Sequence, residues 1–72
     1  MTISAINVRN QFRGKVRAII EGPVVSEIEV ETPSGLIDSS VITTRSDKQL
    51  DLVEGSDVIA LVKSTEVSIA AL

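Results

Sequence analysis

Gln11-Phe12-Arg13-Gly14-Lys15-Val16-Arg17-Ala18-Ile19-Ile20-Glu21-Gly22-Pro23 decides how the chain folds. Phe12, Gly14, Val16, Ala18 and Ile20 are apolar or small and alternate with Gln11, Arg13, Lys15 and Arg17. Period two puts each set on its own face of a half-buried strand. Glu21-Gly22-Pro23 ends the strand, because glycine and proline both favour a turn. A second strand follows, with Val24, Ser26, Ile28 and Val30 on one side and Glu27, Glu29 and Glu31 on the other. In a hairpin the basic row of the first strand would face the acidic row of the second, and such cross-strand pairs contribute roughly 0.2–1 kcal/mol each.

Working outward, Thr32-Pro33-Ser34-Gly35 reads as a turn and Leu36–Thr43 as a third strand, with Leu36, Asp38, Ser40 and Ile42 on one face. That strand carries more hydroxyls than a packed core strand needs. A short helix is expected over Asp47–Glu54, capped by Ser46 and ended by Gly55, with Leu50 and Val53 facing the barrel. Val58–Val62 is a continuous apolar run and reads as a strand buried on both faces, against the core and a neighbouring subunit. Val67-Ser68-Ile69-Ala70 would be a fifth strand. The expected fold is all-β, a small OB-like five-stranded barrel with one short helix between strands 3 and 4.

Seventy-two residues make at most one domain. So short a chain buries a small fraction of its surface and usually needs disulfides, a structural metal or association. It contains neither cysteine nor histidine, which leaves association. An apolar content of 43% agrees with an extensive subunit interface. The N-terminal Met1-Thr2-Ile3-Ser4-Ala5 lacks the features of a signal peptide, and no stretch is long and apolar enough to span a membrane. A cytoplasmic protein is expected.

A net charge of −3 and a single aromatic residue, Phe12, argue against nucleic-acid binding. Catalysis is also disfavoured. No histidine or cysteine can activate a nucleophile, and Lys63 and Ser64 are adjacent, so on a strand their side chains diverge. Two segments remain, Asn7-Val8-Arg9-Asn10 and Val62-Lys63-Ser64-Thr65. They supply an arginine, a lysine, amides and hydroxyls, the donors that hold a small oxyanion by charge-assisted hydrogen bonds. Arg9 and Lys63 could equally be interface ion-pair partners of Asp38 or Glu66.

Val8-Arg9-Asn10-Gln11-Phe12-Arg13-Gly14-Lys15-Val16 resembles the opening Ser-Ala-Arg-Asn-Gln-Leu-Lys-Gly-Lys-Val of the molybdate-binding Mop domains, called molbindins when they stand alone, in the TOBE superfamily. Val41–Ser46 is similar to that family's segment before its short helix, Leu52–Val58 to its Leu-x-x-Gly-x-x-Val turn, and Val62–Val67 to its closing Lys-Ser/Ala-Thr/Ser-x-Val motif. The resemblance covers nearly the whole chain. It implies a single Mop/TOBE-type oxyanion-binding domain over residues 1–72, which binds molybdate or tungstate reversibly for intracellular storage or homeostasis and has no other cofactor. It also implies a cytoplasmic homo-oligomer, a hexamer built as a trimer of dimers, with the anion between subunits. Carried over, the binding set is Arg9, Lys63, Ser64 and Thr43, completed by Asn7 and the backbone N–H of Val8. Asn7-Val8 replaces the usual Ser-Ala, so a carboxamide stands where the family has a hydroxyl. The alternative is a β-rich oligomeric interaction or regulatory module with no anion ligand.

Overall fold

In a computed structural model that describes residues 7–72, the chain forms four strands and one helix. β1 spans Asn10–Glu21, β2 Val25–Glu31, β3 Ile37–Thr43, α1 Thr44–Gln49 and β4 Asp57–Val62, followed by a single 3-10 turn at Ser64–Glu66. The strands make one antiparallel sheet in the order β3-β2-β1-β4. Residues 1–6, which include the segment read for a targeting signal, lie outside the described part. Among the described residues no helix is long and apolar enough to cross a membrane.

β1 organises the sheet because its two halves serve different neighbours. Asn10 to Lys15 pair with Val62 to Asp57 of β4, and Lys15 to Glu21 pair with Glu31 to Ser26 of β2. One long strand shared in this way curls the sheet into a half-barrel. Between Val16 and Ala18 the register with β2 shifts, leaving Arg17 as the extra residue of a bulge. A one-residue slip reverses which side chains face inward. Gly14 and Val16 are buried as the alternation predicts, but beyond the bulge Ile19 packs on the core and Ile20 is 58% exposed. The expected apolar row therefore ends at Val16.

The bulge also breaks up the expected facing of charges. Glu29 and Glu27 lie opposite Ala18 and Ile20 instead of basic residues. Lys15 lies opposite Glu31 but places its Nζ 2.8 Å from Asp57, and Glu21 pairs with Lys48 of α1 at 3.1 Å. Gly14 is required where β1 crosses β2. A Cβ there would come within 2.5 Å of the Glu31 carbonyl oxygen and 2.9 Å of Val30 Cγ1.

Val16, Ile28 and Val30 form the buried core, with Ile19, Ile42, Leu52 and Val58 packed around it. This small core leaves β4 half-buried, and Leu61 is 42% exposed, so the run Val58–Val62 is not enclosed within one chain. The helix starts three residues earlier than predicted. Thr43 has extended backbone angles, and its hydroxyl accepts from the Ser46 N–H at 3.1 Å, so it takes the N-cap that Ser46 was expected to fill. The helix ends at Gln49 and Asp51 adopts a positive φ of 52°, which leaves Leu50 and Val53 exposed and brings Leu52 to the core. Gly55, also at positive φ, belongs to the next turn, where its N–H donates to the Val16 carbonyl.

The predicted fifth strand is not formed. The N–H groups of Glu66 and Val67 bond to the carbonyls of Lys63 and Ser64, and this turn carries residues 67–72 off the sheet, exposed throughout. Four strands stand where five were expected, and the barrel is open between β3 and β4.

Candidate oxyanion site

The β1–β4 ladder ends at the pair Asn10↔Val62. Asn10 locks that end by donating its Nδ2–H to the Val62 carbonyl at 3.1 Å, and Gln11 Nε2 donates to the Val8 carbonyl at 2.6 Å. Both carboxamides thus hold the backbone that leads into the sheet. Arg9 and Lys63 each lie one residue beyond that last pair, and Ser64 already belongs to the 3-10 turn. Neighbouring strands lie about 4.8 Å apart. Two cations from remote parts of the sequence are thereby brought to one edge of the sheet.

Asn7, Arg9, Lys63 and Ser64 are exposed there and Val8 is half-buried. Lys63 has extended backbone and opens the 3-10 turn without using its side chain to cap it. Among the described residues neither Arg9 nor Lys63 forms an ion pair, so the pairings with Asp38 or Glu66 weighed from the sequence are not made within the chain. Two positive charges side by side without carboxylates repel each other, and an anion between them relieves that repulsion while accepting their hydrogen bonds.

Thr43 is elsewhere. It pairs with Val25 beside the β1–β2 turn, at the far end of β1, on the order of 30 Å along the strand from Arg9. Its hydroxyl donates to Ser46 Oγ at 2.8 Å and caps α1. Arg9 and Lys63 thus adjoin the Asn10↔Val62 end of the ladder, and Thr43 lies toward the other end of β1.

Concave space reaches that edge at Val62. A groove of about 300 Å³ runs between β3 and β4 and is lined by Ile28, Val30, Ile42 and Val58, with Asp38 and Ser40 among them. Asp38 Oδ2 is buried without a hydrogen-bond partner. This carboxylate did not figure among the expected site residues. Its sequence signal was an aspartate on the same face of β3 as Ser40 and Ile42, where an apolar side chain would be ordinary. The Asp57 carboxyl is held below its usual range by the hydrogen bond and charge of Lys15. Among the described residues no group of three or more carboxylate, histidine or cysteine side chains is placed to hold a metal ion.

Residues 6–69 match the model of the TOBE domain. Molybdenum-pterin-binding protein 2 of Clostridium pasteurianum is 39% identical over 67 residues, spanning 93% of this chain and 98% of that protein. Two solved structures share the fold at full length. MopII from Clostridium pasteurianum superposes with a TM-score of 0.88 at 39% identity, over 93% of this chain and all of the other. A molybdate binding protein from Sporomusa ovata gives 0.84 at 37% identity, over 99% of this chain and all of that one. The chain belongs to the TOBE domain family, among its molybdate-binding Mop domains.

Proposed function

We propose that the protein is a non-enzymatic molybdate or tungstate binder serving intracellular storage or homeostasis. The observation that supports this reading is the end of the β1–β4 ladder at Asn10↔Val62, since Arg9 and Lys63 follow that pair by one residue on either side, with Asn7, Val8 and Ser64 next in sequence. Arg9 and Lys63 balance the two negative charges of the tetrahedral anion. Ser64 and Asn7 donate to its oxygens and fix its orientation, as does the Val8 N–H. Each hydrogen bond to a charged group contributes roughly 1.5–3 kcal/mol, and four or five suffice for micromolar affinity after the costs of binding.

The edge is exposed on one side, so a second copy is needed to enclose the guest. Thr43 supports this, since its hydroxyl can reach the anion only from another subunit, the proton turning from Ser46 Oγ to the anion. On this reading residues 1–72 act as one oxyanion-binding domain in a homo-hexamer, a trimer of dimers, in the cytoplasm. The names of several relatives attach a pterin to the molybdenum. The single aromatic residue, Phe12, offers no slot in which a flat heterocycle could stack, which favours the bare oxyanion.

Titration calorimetry with molybdate, tungstate, sulfate and a free pterin tests the reading. Heat with the first two and little with the others is expected. A flat response to millimolar molybdate rejects it in favour of an interaction module without an anion ligand.

A further inference from the structure

We infer that Asn10 and Gln11 are positioning residues of the anion site, each fixing the peptide unit that carries one of its two cations. This rests on the oxyanion reading and names what holds Arg9 and Lys63 ready before the anion arrives.

The β1–β4 ladder ends at Asn10↔Val62, so strand pairing itself holds neither Arg9 nor Lys63. A carbonyl and the N–H of the following residue lie in one rigid plane. Asn10 Nδ2 donates to the Val62 carbonyl at 3.1 Å, and that plane carries the N–H of Lys63. Gln11 Nε2 donates to the Val8 carbonyl at 2.6 Å, and that plane carries the N–H of Arg9. Neighbouring residues of a strand project to opposite faces. One carboxamide can therefore reach across to β4 while the other reaches back along the entering chain.

Gln11 separates this role from the ordinary locking of a strand end. The Asn10 bond joins positions 52 apart in sequence and steadies the sheet whatever the chain binds. The Gln11 bond closes only three residues and is exposed. It ties no two elements together, and an exposed amide has water as a ready alternative partner. What it does fix is the direction in which the chain presents Arg9.

Both cations are exposed and, among the described residues, have no carboxylate partner. Their long side chains lose freedom when an anion is captured, and backbone freedom lost at the same time lowers affinity further. Peptide planes held in advance remove that second loss. A layer of hydrogen bonds behind the ligand-touching groups supports a binding site in this way.

Gln11→Met and Asn10→Leu remove the two donors at similar side-chain volume. Both should weaken molybdate binding roughly 3- to 10-fold in titration calorimetry. In the anion-free protein, amide relaxation measured by NMR should show the Arg9 N–H loosened by Gln11→Met and the Lys63 N–H by Asn10→Leu. Gln11→Met should leave the urea midpoint where it was, since the side chain it removes is exposed. A merely structural role predicts the reverse, a lower midpoint with affinity intact. If Asn10→Leu does not fold, Gln11→Met decides alone. A parent that binds molybdate while Gln11→Met binds it equally well overturns the inference and leaves the oxyanion reading standing. An Arg9 amide that keeps its parental order in Gln11→Met does the same. A parent that gives no heat with molybdate overturns both.

Discussion

Arg9 and Lys63 carry their charges into solvent at the same end of one ladder, in a chain that is acidic overall. Arg9→Ala or Lys63→Ala should weaken molybdate binding roughly 10- to 100-fold, the loss of a charged hydrogen bond, and leave the assembled mass unchanged. Calorimetry and sedimentation on each variant check this. A variant that dissociates with its affinity intact would make the residue structural. Gly14 is a second residue whose identity is forced. Gly14→Ala sets a Cβ against the fixed Glu31 carbonyl and should cost about 1–3 kcal/mol in urea unfolding. An unchanged midpoint would mean the β1–β2 crossing can relax. The residues alone mark Arg9 and Lys63 as oxyanion donors, and the strand register adds that both adjoin the last β1–β4 pair. Thr43 shows the limit of carrying a set over by similarity, because its position in the motif says nothing of which subunit it serves.

At the scale of elements, α1 is fastened through Thr44. Its hydroxyl donates to the Gly22 carbonyl at 2.7 Å and lies 2.9 Å from the Oγ of Ser26, which is 1% exposed. Thr44→Val should strand Ser26 and cost about 1–3 kcal/mol, read by chemical denaturation. Ser26→Ala on that background should recover part of the loss, and no recovery would disprove the link. The Lys15–Asp57 pair joins β1 to β4. Asp57 titrates lower in the folded protein than in the unfolded chain, so its contribution is present above the unfolded value and lost as pH falls through the folded one. Both side chains are mostly exposed, so the effect is small. Asp57→Asn should reduce stability at neutral pH and match the parent in strong acid. A difference that persists there would contradict the pairing.

The strands were legible because polar and apolar residues alternate over long runs. The bulge was not, since Ala18-Ile19-Ile20 is apolar at three successive positions and fits either register. The helix start was misplaced because Thr43, Thr44 and Ser46 all offer a capping hydroxyl, and only the backbone geometry selects Thr43.

At the scale of the molecule, the sheet is a half-barrel left open between β3 and β4. Val67–Ala70 alternates like a strand but forms none, because periodicity cannot reveal that the turn at Ser64–Glu66 carries the segment off the sheet. Ligand binding should register in global stability. Molybdate at 100 times its dissociation constant should stabilise the folded state by about 2.7 kcal/mol, a rise of several degrees in melting temperature for a domain of this size. Equal sulfate should leave it unchanged, and an equal rise with sulfate would mark a general salt effect. Diffraction from crystals grown with tungstate, recorded at the tungsten absorption edge, tests the central claim most directly. The account predicts an anomalous peak at a subunit boundary, with its oxygens within hydrogen-bonding distance of the Arg9 guanidinium and the Lys63 ammonium. A tungsten peak remote from both residues, or none at saturating tungstate, would contradict it.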